Sequence, residues 1–190
     1  MDQLKQAITS QGAVQSGHVL QLDAILNHQV DPELIMQMGE EFARRFSEDG
    51  VTKVVTIESS GIPIGFAVAY KLGVPMIFAR RKKTLTTDTD SYCERVPSFT
   101  KGIVTDLMIA KKLLASEDRV LIIDDIIANG DAVKGVIRIL KQAGSTLIGL
   151  GVAVEKAFQD GAPSLREAGV RVDSLVRITG LHDGEVSFGE

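Results

Sequence analysis

The sequence predicts an α/β fold, a mostly parallel five-stranded sheet flanked by helices. Three observations carry this. Short runs of valine and isoleucine alternate with amphipathic segments and glycine-containing turns along the 190 residues, the rhythm of a parallel sheet covered by helices. The run VLII at 120–123 is apolar without a break, so its strand is buried on both faces and belongs at the centre of the sheet. Helix starts and stops are legible between the strands.

In chain order, Asp31-Pro32-Glu33 reads as a helix start, with aspartate at the cap and proline in the first turn. Leu34, Met38, Phe42 and Phe46 then fall on one face, and the pattern runs out at Gly50. Lys53–Ile57 is the first strand, followed by a helix over Ile62–Leu72 and a strand over Val74–Ala79. Arg119–Ile123 is the central strand, Asp131–Ala143 a helix stopped by Gly144, and Thr146–Val154 the next strand. A fifth strand lies at Val170–Val176. Residues 104–115, VTDLMIAKKLLA, fit an amphipathic helix and a strand with a turn equally well.

Two stretches break the rhythm. One is the N-terminal arm, where HVLQLDAILNHQV precedes the first core strand. The other is 80–101, some twenty polar residues rooted in the basic run Arg80-Arg81-Lys82-Lys83. Excursions of this length in a compact domain commonly act as lids. Four adjacent cations repel one another, and a bound polyanion relieves that repulsion. The expected organisation is a single domain over 1–190, with a hood from about 1–30 and 80–101.

Composition excludes several classes. One cysteine, Cys93, rules out an internal disulfide framework. Three scattered histidines suggest no metal cluster, and no run approaches the 18 apolar residues of a membrane span. The N-terminus has no apolar signal segment. With 21 basic and 25 acidic side chains the formal charge is −4, which argues against a general nucleic-acid binder. The expected compartment is the cytoplasm.

The strongest motif is VLIIDDIIANGDA at 120–132. A buried strand delivers Asp124 and Asp125 to its carboxyl end, where open parallel sheets bind ligands. The turn of Ala128, Asn129, Gly130, Asp131 and Ala132 then leads into a helix, so its backbone N–H groups form an anion nest. The two acids repel a phosphate but suit sugar hydroxyls or a hydrated magnesium ion. A second loop, Ser59-Ser60-Gly61, also lies between a strand and a helix and suits a second anion.

These residues resemble the ribose-phosphate motif of the type I phosphoribosyltransferases, with Asn129 standing where most members carry threonine. The order of arm, ESSG loop, basic root, DD loop and VEKAF strand end is similar, over nearly the whole chain, to the bacterial xanthine phosphoribosyltransferases. The resemblance implies the type I fold and transfer of the phosphoribosyl group from phosphoribosyl pyrophosphate to N9 of xanthine. It makes Asp124 and Asp125 the catalytic acids and residues 128–132 the phosphate loop. Ser59, Ser60 and Gly61, with Arg80 and Lys82 or Lys83, become the pyrophosphate site. Leu20, Asn27 and Lys156, together with the nearby Phe158, become the base site. Mg2+ is implied as a companion of phosphoribosyl pyrophosphate rather than as the occupant of a protein cage, and the assembly implied is a homodimer. Hypoxanthine or guanine remains open as the acceptor, as does a regulatory protein that keeps the pocket and binds RNA.

Overall fold

The computed structural model describes residues 1–11, 13–15, 19–22, 25–26, 28–81, 90–98, 103–182 and 185–189. Asn27, Lys82 and Lys83 lie outside them. The arm contains a helix α1 (Asp2–Gln11) and two short antiparallel strands, β1 (Ala13–Gln15) and β2 (Val19–Gln21). There follow α2 (Pro32–Arg45), β3 (Lys53–Ile57), α3 (Ile62–Leu72) and β4 (Met76–Ala79). A hairpin of β5 (Ser91–Ser98) and β6 (Ile103–Ala110) comes next, then β7 (Arg119–Ile127) and α4 (Asp131–Ala143). The chain continues through β8 (Thr146–Lys156), α5 (Gly161–Glu167), β9 (Val172–His182) and β10 (Glu185–Phe188).

The main sheet has the order β10-β9-β8-β7-β3-β4. The five strands read from the sequence are all parallel. The sixth, β10, pairs antiparallel with β9; at four residues of half-exposed character it carries too little pattern to be read beforehand. Central β7 alternates its apolar side chains between two cores. Leu121 and Ile123 face α1, α2 and α3, whereas Val120 and Ile122 face α4, α5 and the hairpin. Helix α2 starts as expected, with Asp31 Oδ1 accepting from the amides of Glu33 (3.0 Å) and Leu34 (3.2 Å). It ends at Arg45 rather than near Gly50, and Phe46 at its C-cap is still fully buried.

Residues 104–115, open in the sequence between helix and strand, are mainly strand, and part of the stretch read as a polar lid is strand too. Residues 104–115 are strand up to Ala110, then a 3-10 turn over Lys111–Leu113. Within 80–101, read as a polar lid, Ser91–Ser98 is strand β5. Its polar residues alternate with Val96, which is buried with Leu107 and Ile109 of β6 against α4. The hairpin is anchored rather than hanging free. A Cβ placed on Gly135 of α4 would lie 2.5 Å from Val96 Cγ2 and 3.1 Å from Leu107 Cδ1. Arg138 of α4 donates to Glu94 (2.7 Å), as does Gln142 (2.6 Å). At the other side Arg80 and Met108 exchange both backbone hydrogen bonds at 2.9 Å, tying the hairpin to the end of β4.

Gly135→Val tests this docking. Val96 is boxed in, so the added carbons must push the hairpin away, at a cost of about 1–3 kcal/mol. Amide exchange over 91–98 is expected to accelerate while β3, β7 and β8 keep their protection. Unchanged protection of β5 would contradict the contact.

Candidate active site

The cleft sits at the carboxyl ends of the parallel strands, where β7 hands over to α4. It is lined by Arg81, Pro97, Asp124 and the run 126–133. Local sequence explains the turn. Gly130 adopts φ +76°, a left-handed conformation costly for a side-chain-bearing residue, and α4 begins directly after it. The first-turn amides of α4 have no carbonyl partner within their own helix, and they open towards the cleft beside Asn129. Ala128, Asn129, Gly130, Asp131 and Ala132 therefore come together at one corner of the cleft.

Asp124 and Asp125 are each 8% exposed. The Asp125 amide donates to Asp124 Oδ1 at 3.1 Å. Burial, and then the adjacent Asp125 carboxylate, push the Asp124 carboxyl well above the ordinary carboxylate range, with Arg81 pulling weakly the other way. Asp124 also lies against the second loop. A Cβ on Gly61 would be 3.1 Å from Asp124 Oδ1 and would strike Thr56 Oγ1. Gly61 thus lets the two ligand loops approach each other over the sheet edge, and the buried Thr56 hydroxyl beneath has no hydrogen-bond partner among the described residues.

The Ser59-Ser60-Gly61 loop is held by its flanks. Glu58 donates its amide to Ala79 O (3.1 Å), and Ile62 closes the turn onto Ser59 O (3.1 Å). The Glu58 carboxylate accepts from the Arg81 amide at 2.6 Å and pairs with Arg80 Nε at 3.7 Å. Arg80 is thereby placed beside the loop. Sequence reasoning passed over Arg81, which lines the cleft and whose guanidinium donates to Thr105 Oγ1 on β6 (3.3 Å). Within a run of four cations, only the register of β4 against β6 distinguishes one from the next, and that register is not visible in sequence. Pro97 was missed for the same reason: its place over the cleft depends on the docked hairpin.

Lys156, the last residue of β8, and Phe158, in the turn after it, stand at the same sheet edge one strand away, where Ile127 pairs with Glu155. They do not line the cleft itself. Lys156 is half-buried, and that burial lowers its pKa. Phe158 is 41% exposed, so it is no core residue. Leu20 is buried with Leu22, Ile25 and Leu26 in the core on the α1–α3 side of the sheet. The remaining base and pyrophosphate candidates, Asn27, Lys82 and Lys83, are outside the described residues.

With this geometry in view, the comparisons are specific. Residues 25–168 match the family model described as the phosphoribosyl transferase domain. The chain is 50% identical over 188 residues to the xanthine phosphoribosyltransferase of Stutzerimonas stutzeri, covering 99% of each. It is 49% identical over 185 residues to that of Moorella thermoacetica, covering 97% of this chain and 94% of the relative. Among solved structures, the adenine phosphoribosyltransferase of Rhodothermus marinus superposes with TM-score 0.77 at 28% identity, covering 93% of this chain and 97% of that one. The Trypanosoma brucei adenine enzyme, bound to AMP, pyrophosphate and ribose 5-phosphate, gives TM-score 0.76 at 20% identity, covering 95% and 82%, a likeness of fold.

The raised Asp124 pKa has a thermodynamic consequence. A carboxyl whose folded pKa lies above its unfolded value stabilises the fold at low pH, and that contribution is lost as pH rises through the folded pKa. Asp124→Asn keeps the shape and removes the charge. Its urea midpoint is expected to exceed that of the wild type at pH 8, with the difference shrinking towards pH 4.5. A variant less stable than wild type at pH 8 would contradict the electrostatic reading.

Proposed function

The chain belongs to the phosphoribosyl transferase family, and we infer that it transfers the 5-phosphoribosyl group of 5-phospho-α-D-ribose 1-diphosphate to N9 of xanthine, giving xanthosine 5′-monophosphate and pyrophosphate. One observation carries the choice of acceptor: about half of all residues, over nearly the full length, are shared with proteins named xanthine phosphoribosyltransferases. The enzyme serves purine salvage, acts in the cytoplasm and binds small molecules rather than nucleic acid or membrane. No described helix is long and apolar enough to cross a membrane.

We assign residues 128–132 to the 5′-phosphate, which the N–H groups of the loop and the start of α4 suit. Asp124 and Asp125 accept from the ribose hydroxyls. Ser59, Ser60 and Gly61 take the pyrophosphate with Arg80, to which we add Arg81; Lys82 or Lys83 completes that set. Leu20, Asn27, Lys156 and Phe158 hold the base, with the hood of 1–30 and 80–101 over it. Magnesium fits this site. Two crowded carboxylates, one already pushed towards its neutral form by burial and then by the other's charge, are relieved by a nearby cation. Asp124 and Asp125 would hold the ion together with the substrate's diphosphate. When bound, the ion neutralises charge on the departing pyrophosphate.

In the reaction, the N9 lone pair forms a bond to C1′ as the bond from C1′ to the pyrophosphate oxygen breaks. The proton of the purine's imidazole ring is lost to water or to the departing pyrophosphate. The sugar develops oxocarbenium-like positive charge, which the Asp124–Asp125 field stabilises from a water-poor position. No side chain forms a covalent bond, and alignment of the two reactants supplies much of the rate. Cys93, on the exposed outer side of β5, takes no part. The Lys156 ammonium offers only donors, which suits the 6-oxo group of an oxopurine and opposes the 6-amino group of adenine. The second copy of a homodimer can use the exposed, stacked Phe66 and Tyr70 of α3, with ring centroids 6.4 Å apart. Sedimentation giving only monomer at micromolar concentration would contradict that assembly.

Two measurements test the reading. Asp124→Asn combined with Asp125→Asn removes two charge-assisted sugar contacts of about 1.5–3 kcal/mol each, so kcat/KM is expected to fall by roughly 10²–10⁴ in a folded protein. Near-normal turnover would remove the acids from the mechanism. Steady-state kcat/KM across xanthine, hypoxanthine, guanine and adenine is expected to favour xanthine, with adenine essentially unused. A preference for guanine or hypoxanthine would overturn the acceptor while leaving the transfer reaction standing.

A further inference from the structure

The phosphate loop does not rest on its own strand and helix alone. Among the described residues, the backbone hydrogen bond reaching it from another element is Gly161 N–H to Ala128 O, 3.0 Å. The contact is backbone against backbone. A Cβ on Gly161 would fall on the Ala128 carbonyl oxygen, 2.8 Å from the Gly130 nitrogen and 2.9 Å from the Asn129 carbonyl carbon. In the reverse direction, a Cβ on Gly130 would lie 3.2 Å from Gly161 Cα. The first residue of α5 therefore sets how far the loop can sit back from the cleft.

Something must then fix α5, a helix of only seven residues with Ala162 and Leu165 as its buried apolar side chains. Arg166 does so. Its guanidinium makes a two-pronged pair with the fully buried Glu155 of β8, at 2.8 and 2.7 Å, while Ser174 of β9 donates to the same carboxylate. Arg177 Nε stands 3.5 Å from its other oxygen. Burial raises the Glu155 pKa, yet the hydrogen bonds from Arg166 and Ser174 outweigh it and hold the group below its ordinary range. A buried charge pair is a poor source of net stability because desolvation offsets the attraction. Its planar fork is, however, a strong constraint on direction.

We infer that Gly161, held in register by the Arg166–Glu155 pair, is a positioning residue for the phosphate loop 128–132. Substrate does not touch Gly161; the residue sets the loop depth at which the 5′-phosphate meets the backbone amides. The inference rests on the assignment of that loop to the phosphate of phosphoribosyl pyrophosphate. Since Glu155 immediately precedes Lys156, the same pair ties the lysine assigned to the base and the phosphate loop to one frame.

The test is calorimetric titration with phosphoribosyl pyrophosphate in magnesium, alongside product inhibition by pyrophosphate, on wild type, Gly161→Ala and Arg166→Lys. If wild type fails to bind phosphoribosyl pyrophosphate, the underlying assignment falls, and this inference with it. With wild type binding, Gly161→Ala is expected to weaken phosphoribosyl pyrophosphate at least tenfold, while pyrophosphate inhibition, which depends on the 59–61 loop, stays within twofold. Arg166→Lys keeps the charge but loses the fork, and should weaken phosphoribosyl pyrophosphate at least threefold with the same selectivity. It also carries the test if Gly161→Ala does not fold. Wild-type affinity in the folded variants, or parallel loss of both ligands, overturns the positioning role alone.

Discussion

Two adjacent carboxylates held almost out of water are the constraint around which this molecule is arranged. Asp124 and Asp125 are kept at 8% exposure because β7 is the central strand, with a core on each of its faces. A strand at the sheet's edge would leave such a pair hydrated, and their field would be screened. Placing them at the carboxyl end rather than mid-strand keeps one side open to the cleft. The surroundings then follow: Gly61 without a side chain, so that the second loop can close over Asp124, and Arg81 near enough to oppose the accumulated negative charge.

Helix α4 links this constraint to the rest of the fold. Its first turn supplies the amides that we assign to the phosphate, and its middle carries the hairpin through Gly135, Arg138 and Gln142. Pro97 of that hairpin overhangs the same cleft. The α4 end of the cleft and Pro97 of the hairpin therefore belong to one packed unit. The Arg80–Met108 bridge fastens the hairpin again at the end of β4.

What is legible in the sequence is what local chemistry determines. Asp31 and Pro32 announce a helix because capping needs only neighbouring residues, and VLII announces a central strand because burial on both faces needs no polar alternation. The DD loop is readable for the same reason: strand, acids, glycine and helix start are contiguous. The rest depends on distant partners. β5 looks like polar loop because its apolar contribution is essentially Val96, whose meaning comes from α4 some forty residues later. Arg81 is distinguished from its basic neighbours only by the pairing of Arg80 with Met108. Gly161 passes as an ordinary turn glycine because its contact, Ala128, lies thirty-three positions away. Lys156 and Phe158 stand at the ligand edge of the sheet, but the cleft beside them is lined by other residues.

The short antiparallel strand β10 changes what the sheet presents to other chains. Without it, the eleven residues of β9 would form a long outer edge with free N–H and C=O groups, the kind of template that recruits foreign strands. β10 covers the last five residues of that edge, 178–182, with a four-residue strand bearing Glu185 and Ser187 among its side chains. At the opposite side, β4 is equally short, and Arg80 at its end is already bridged to the hairpin. A released chain cut before residue 185 would leave residues 178–182 of β9 as an unpaired edge.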